Sequence, residues 1–273
     1  MNCSDHPVLE QAPVVSSHIL RWRNSRWAHE QDSLAVELPI ALEFNGISHA
    51  VMLATPSDLE SFALGFALSE SIVDHRLEFR GAEVEESKAG ITVHCEISNN
   101  AFVRLKQRRR NMAGRTGCGL CGVESLGQVL RPLPLVQHAA PVSVSAIRSA
   151  LQSLSSMQPL ANLTGGMHAA AWSALDGRLQ HVAEDVGRHN ALDKLIGKMV
   201  GQGLDFSAGF LLITSRASVE MVQKAAALGI SLMVAISAPT SLAVETAEAL
   251  GVTLVAFARG DEFVAYAHAG WIS

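Results

Sequence analysis

Apolar and polar residues alternate through positions 34–44, with Leu34, Val36, Leu38, Ile40, Leu42 and Phe44 on one side. A period of two predicts a strand, and Pro39 marks it as an edge or a bulge. Asn45-Gly46 predicts a hairpin turn, after which Ile47, His49, Val51 and Leu53 return on alternate positions. Ser57-Asp58-Leu59-Glu60 has the form of a capping box. It opens a helix whose Leu59, Phe62, Phe66 and Ile72 can face a core and which ends near Asp74. Ile91, Val93, Cys95 and Ile97 alternate again, which makes Cys95 a small core residue. Asn99-Asn100 then reads as a turn, with 102–105 returning as a strand.

The second half has a different rhythm. Pro132-Leu133-Pro134 and the mixture up to Pro141 read as a linker. Ile147, Ala150, Leu151 and Leu154 predict a helix over 143–154, closed by Pro159. Asp176-Gly177 joins 167–175 to 179–182 as a hairpin, and Ala191, Leu192, Leu195, Ile196 and Met199 predict a helix over 188–199. From there strands at 210–214, 230–236 and 252–257 alternate with helices at 218–228 and 242–250, closed by Gly229 and Gly251. Such alternation implies a largely parallel sheet covered by helices, with ligands outside the strand carboxyl ends. The chain divides into an N-terminal extension (1–33), a β-rich part (34–131) and an α/β domain (142–273).

Composition narrows the class. With 48% apolar and 17% charged residues among 273, the chain is a packed globular protein and not a disordered one. Residues 1–11 lack the basic and apolar regions of a secretory signal, and no apolar run approaches a membrane span. A net charge of -5 gives no general attraction to nucleic acid or acidic membranes. Four cysteines, two of them close together in a loop, suit a reducing cytosol better than a disulfide framework, so a soluble cytoplasmic protein is expected.

Those two cysteines are the centre of the chemistry. Cys118 and Cys121 stand in Gly117-Cys118-Gly119-Leu120-Cys121-Gly122, where glycines leave the sulfurs unshielded. Lys106, Arg108, Arg109, Arg110 and Arg115 precede them, and Arg110 or Arg115 could draw a thiol toward its nucleophilic thiolate. A structural zinc site would want two more ligands at short spacing, and no second pair exists. A thioredoxin-like site would want the first cysteine at a helix N-terminus, against which the glycines argue. An accidental pair in a glycine loop and a sulfur-handling thiol on a mobile arm are the other readings.

Polar residues gather at the predicted strand ends: Ser215-Arg216-Ala217-Ser218, Ser237-Ala238-Pro239-Thr240 and Ala258-Arg259-Gly260. Hydroxyls, arginines and helix N-termini on one edge are the elements of an anion site, although Ser and Thr are also ordinary N-caps. Thr164-Gly165-Gly166-Met167-His168 and Glu184-Asp185-Val186-Gly187-Arg188-His189-Asn190 are likewise too polar for their surroundings. His168, Arg188 and His189 are candidates for binding or for moving protons.

Together, Gly117–Gly122, Thr164-Gly165-Gly166-Met167-His168-Ala169-Ala170, 185–194 and 215–224 resemble the FdhD family, the formate dehydrogenase accessory sulfurtransferases. The resemblance spans nearly the whole chain from Glu37. It implies a carrier that accepts persulfide sulfur from a cysteine desulfurase and delivers it to the molybdenum cofactor of formate dehydrogenase. By resemblance Cys118 carries the persulfide with Cys121 as its partner. The stretch Phe257, Ala258, Arg259, Gly260, Asp261 and Glu262 corresponds to the segment binding Mo-bis-molybdopterin guanine dinucleotide, with Ser215, Arg216, His168, Arg188 and His189 as further cofactor-binding candidates around its guanine nucleotide moiety. The resemblance also implies a homodimer and a fold that is α/β, with a cytidine-deaminase-like mixed sheet covered by helices in the second half and a smaller β-rich N-terminal part. A zinc deaminase would require His-x-Glu and a downstream Pro-Cys-x-x-Cys; here His168-Ala169-Ala170 lacks the glutamate and the Cys pair lies upstream, so no metal is expected. The remaining alternative is a non-enzymatic chaperone that binds the cofactor through its phosphates.

Overall fold

A computed structural model describes residues 12–110 and 130–273. It has three sheets. β1 (Val14–Arg23) and β2 (Arg26–Ala35) form a two-stranded antiparallel ribbon. β3 (Leu38–Phe44), β4 (Ile47–Ala54), β5 (Phe79–Ser87) and β6 (Gly90–Ile97) form a four-stranded sheet in the order β4-β3-β6-β5. β7 (His168–Ala174), β8 (Leu179–Asp185), β9 (Gly209–Ile213), β10 (Leu232–Ala235), β11 (Thr253–Arg259) and β12 (Glu262–Ala267) form the third, in the order β12-β11-β10-β9-β7-β8.

The third sheet is mixed: β9, β10 and β11 run parallel, while β7, β8 and β12 join antiparallel. This corrects the expectation of a largely parallel sheet. The periodicity finds the strands, but the hairpins to β8 and β12 reverse direction at the flanks. Helices cover both faces, as the family resemblance implies. On one face α3 (Val144–Leu154) packs Ala146, Ile147 and Ala150 against Phe210, Leu212 and Val234. On the other lie α5 (Arg188–Gly201), α6 (Val219–Ala227) and α7 (Ser241–Leu250), which meet Leu211, Ile213 and Leu254. Neighbours on β9 thus alternate between two cores, and the strand reads as an unbroken apolar run.

α1 (Leu59–Ser69) joins the halves. Residues 62–69 are all buried, because the helix lies between the four-stranded sheet and α5. Two glycines set that approach: a Cβ on Gly65 would come within 1.7 Å of the Asp193 carbonyl oxygen, and one on Gly197 within 1.8 Å of that of Ser61. Ile40, Phe62, Leu192 and Leu254 belong to one continuous core.

Several local expectations are corrected. The alternation over 34–44 breaks at 36–37, where the ribbon ends and β3 begins. Pro39 lies in an interior strand; it is tolerated because pairing with β6 starts only at Ile40. The Asn45-Gly46 turn forms with both residues at positive φ. Asp58 precedes α1 in the left-handed region and caps nothing; its carboxylate pairs with Lys198 at 2.8 Å, and the helix stops at Ser69 rather than Asp74. The predicted strand at 102–105 belongs to α2 (Asn99–Arg110). The Ser98 hydroxyl accepts the Ala101 N–H at 3.2 Å, and Ala101 and Leu105 bury one helical face. Pro159 does not close α3; it opens a short helix, α4 (Pro159–Thr164), at its first position.

Candidate functional site

Every candidate in the second half lies on one edge of the six-stranded sheet. β7 starts there with His168, β8 ends there at Asp185, and the parallel strands β9, β10 and β11 end there before Ser215, Ser237 and Gly260. α5 and α6 begin at this edge. Gly187 opens α5 and Ser218 opens α6, and neither helix is capped by a side chain. The first turn of α5 carries no acidic residue, so its N–H groups and dipole face the edge, whereas Glu220 answers those of α6 from within its own first turn. Thr240, by contrast, caps α7 by accepting the Ala243 N–H at 3.3 Å, and its hydroxyl has the ordinary role.

Arg188 and His189 project from the first turn of α5. The Nε of Arg188 and the Nε2 of His189 are buried, with no hydrogen-bond partner among the described residues. Burial, with Arg188 and Lys224 nearby, pushes His189 down to about 4, so its imidazole is neutral at neutral pH. Burial and Arg188 also lower His168. Glu220 on α6 faces both Arg188 and His189. One strand over, Ser215 is buried and donates its hydroxyl to the Arg216 carbonyl at 3.2 Å, while Arg216 is exposed.

Phe257, Ala258 and Arg259 end β11, Gly260 and Asp261 turn the chain and Glu262 opens β12, three strand spacings (about 14 Å) from β7. Phe257 sits at φ 52° inside a register shift, which turns its ring outward, 47% exposed. Ala258 is buried, and Arg259 Nε donates to the Ile236 carbonyl at 3.3 Å. A hollow of about 420 Å³ lies between Val144, Phe257 and the acidic pair. Asp261 is matched by Arg148, 2.7 Å from its Nε.

The rest of the polar segment 185–194 does something else. Asp185 and Lys194, both fully buried, pair at 2.6 Å. Asp185 also accepts the N–H of Thr55 at 3.0 Å, and Lys194 donates to the Thr55 carbonyl at 2.8 Å. Asn190 donates to the Leu53 carbonyl at 2.9 Å. One turn along, Asp193 accepts from Lys224 at 2.9 Å and from the Ser69 hydroxyl at 2.6 Å, and Lys224 reaches Glu70 at 2.7 Å. Burial pushes Asp193 up to about 6 against the pull of Lys224. Burial would raise Glu70 as well, yet Lys224 and Arg131 hold it at about 2. His189 and Asp193, and Asn190 and Lys194, stand four apart on the helix, and Leu192 and Leu195 beside them are the signal that this face is buried. Lys224 closes the 215–224 motif, but nothing in the sequence joins it to Glu70, which comes from a distant segment.

Cys118 and Cys121 lie outside the described residues, but the residues leading to them do not. On one side Arg108 donates to the Ser71 carbonyl at 2.6 Å. On the other Arg131 donates to the Ser69 carbonyl at 2.7 Å and to Gln223 at 3.1 Å. Both roots are therefore fixed at the C-terminal end of α1, next to Lys224 and Glu70, which His189 also faces. Cys95 is buried, and burial and Glu43 push its thiol up to about 12, which makes it inert. Among the described residues no group of three or more His, Cys, Asp or Glu side chains could hold a metal ion, and no helix is long and apolar enough to cross a membrane.

The fold is that of the crystal structure of a candidate formate dehydrogenase accessory protein from Desulfotalea psychrophila: TM-score 0.74 and 23% identity, covering 96% of this chain and 100% of that one. A protein of Cupriavidus necator named sulfur carrier protein FdhD is 52% identical over 276 residues, covering 98% of this chain and 96% of its own. One of the same name from Bordetella petrii is 49% identical over 265 residues, covering 96% and 95%. Residues 35–273 match the sequence model of the FdhD/NarQ family, and with those relatives they establish that the chain belongs to it.

Proposed function

We propose that this protein is a sulfurtransferase of the carrier type, serving a formate dehydrogenase. Its Cys118 thiolate attacks the terminal sulfur of a cysteine desulfurase persulfide; a new S–S bond forms on Cys118 and the donor cysteine leaves as thiolate. The acceptor is the molybdenum cofactor, Mo-bis-molybdopterin guanine dinucleotide, which is a substrate of the transfer and not a resident group of the carrier. Cys121 is the second thiol of the pair, and the working unit is a homodimer in the cytoplasm.

The observation that carries this reading is the position of the two roots. Arg108 and Arg131, which flank the cysteine-bearing segment in sequence, both bond the end of α1, beside the sheet edge where α5 and α6 begin. The residues present suit a phosphate-bearing ligand. Arg188 has an Nε free to donate and neutral His189 an Nε2 without a partner, Arg216 adds an exposed charge, and Arg259 extends the edge toward the β11–β12 turn. The acidity of that turn is reduced by the Arg148–Asp261 pair.

A chaperone would need the phosphate site alone, so sulfur loading is the discriminating experiment. After incubation with a cysteine desulfurase and cysteine, intact mass should rise by one sulfur on Cys118. Loss of that gain in Cys118→Ala supports the carrier. No gain in the wild type, with guanine nucleotide binding intact, would leave the chaperone.

A further inference from the structure

The tip of the β1–β2 ribbon has an unusual composition. From Leu20 to His29 it carries three arginines and two tryptophans and no acidic residue. Its turn is Asn24-Ser25, both at positive φ, so the strands fold back with no spare chain between them. Directly paired residues share a face of the ribbon. Trp22, Trp27, Leu20 and His29 therefore stand on one side, and Arg23 and Arg26 on the other. The two indole rings are 5.3 Å apart and 57% and 65% exposed, and Leu20 beside them is 56% exposed. Arg21 is matched by Glu30 and Asp32, each at 2.7 Å. Arg23 and Arg26 are exposed, oppose each other directly and make no ion pair among the described residues, an arrangement that destabilises a strand pair.

The opposition of the two faces selects the partner. A flat protein surface would take one face and leave the other in water. A nucleic-acid strand stacked on the tryptophans would carry its phosphates along the aromatic side, away from the arginines. A bilayer interface is a medium and not a surface, so it receives both sides at once. Trp settles at the boundary between headgroups and hydrocarbon, and Arg forms forked hydrogen bonds with phosphate. The headgroup layer is about 5–8 Å deep on each side of the hydrocarbon, and a ribbon with its side chains is about 10 Å thick. With its aromatic face at the boundary, the ribbon holds its opposite face among the phosphates.

We propose that the ribbon tip is a docking site for an anionic lipid surface. Trp22, Trp27 and Leu20 face the hydrocarbon boundary, and Arg23 and Arg26 bind lipid phosphates from the opposite side of the ribbon. Glu30 and Asp32 do not oppose the approach, because Arg21 answers both. The net charge of -5 discourages the rest of the chain from such a surface, so contact is confined to the tip. Two arginines and two tryptophans make a reversible attachment that weakens as salt screens it. The docking site lies ahead of residues 35–273, the part that matches the family, and it goes beyond the sulfur carrier reading.

Cosedimentation of the full chain with vesicles tests it, comparing phosphatidylglycerol mixed with phosphatidylcholine against phosphatidylcholine alone. The wild type should pellet with the mixed vesicles, and its tryptophan emission should shift to the blue as it does so. Arg23→Gln with Arg26→Gln should weaken that binding about thirtyfold, since each arginine near an anionic surface contributes about a factor of five. Trp22→Ser with Trp27→Ser should abolish the pelleting and the blue shift without changing the circular dichroism spectrum. A wild type that stays in the supernatant would overturn the proposal, as would equal affinity for the two kinds of vesicle or a folded tryptophan variant that pellets like the wild type. Retention of a single-stranded oligonucleotide through the same tryptophans, without pelleting, would assign the tip to nucleic acid and overturn it too. Sulfur loading is measured without lipid, so none of these outcomes bears on it.

Discussion

α5 carries charge in two settings. Toward α1 its Asp193 and Lys194 are buried and closed into pairs, with Asp185 just ahead of the helix, and they fasten one half of the molecule to the other. Toward the sheet edge its Arg188 and His189, from the same short motif, keep buried nitrogen atoms without partners. The difference separates structure from chemistry within ten consecutive residues. Charge fully paired inside the protein makes a seam, and buried nitrogen atoms left without hydrogen-bond partners mark a binding edge.

The most damaging way to break the comparison is Lys194→Ala, which strands the Asp185 carboxylate at full burial. A loss of about 3–5 kcal/mol is expected, read as a lower urea midpoint; an unchanged midpoint would mean that the seam holds little. Gly65→Ala attacks the same seam sterically, since its methyl group would overlap the Asp193 carbonyl. About 3 kcal/mol should be lost, with a matching fall in Tm.

His189 sharpens the contrast through pH. Its folded pKa is depressed to about 4, so the neutral form is favoured by folding. Its contribution is complete above the unfolded value near 6.5 and is lost as pH falls toward 4. The stability of wild type relative to His189→Gln should therefore grow by about 1–3 kcal/mol between pH 4 and 6.5, measured by urea unfolding. A gap independent of pH would place His189 in water rather than in the cluster. The smallest effect belongs to the edge itself. Arg188→Gln should leave Tm nearly unchanged while weakening GDP binding about tenfold by calorimetry, the loss of one charge-assisted contact.

Much of this was legible in the sequence where burial imposes a period. β3 and β6 follow from one apolar face each, and β7 and β9 from buried runs, while in β4 a bulge at His49 moves the expected Val51 and Leu53 to the exposed face and turns Ala50, Met52 and Ala54 inward. Elements that lack a buried face escaped. β1 and β2 bury no residue below the surface, and β5 is largely exposed with three glutamates. α2 was masked by Asn99-Asn100, which opens a helix here because Ser98 supplies the cap. The edge residues could be named because glycines and polar side chains interrupt apolar segments. The seam could not, because Glu70 and Lys224 become neighbours only when α1 and α6 pack.

The burial of α1 on every side has a consequence for how the protein comes apart. A helix whose residues 62–69 are all inside cannot be exposed in stages. The two halves should therefore melt in a single cooperative transition, and a gene cut at the 132–141 linker should yield two fragments that are each insoluble alone yet refold when mixed.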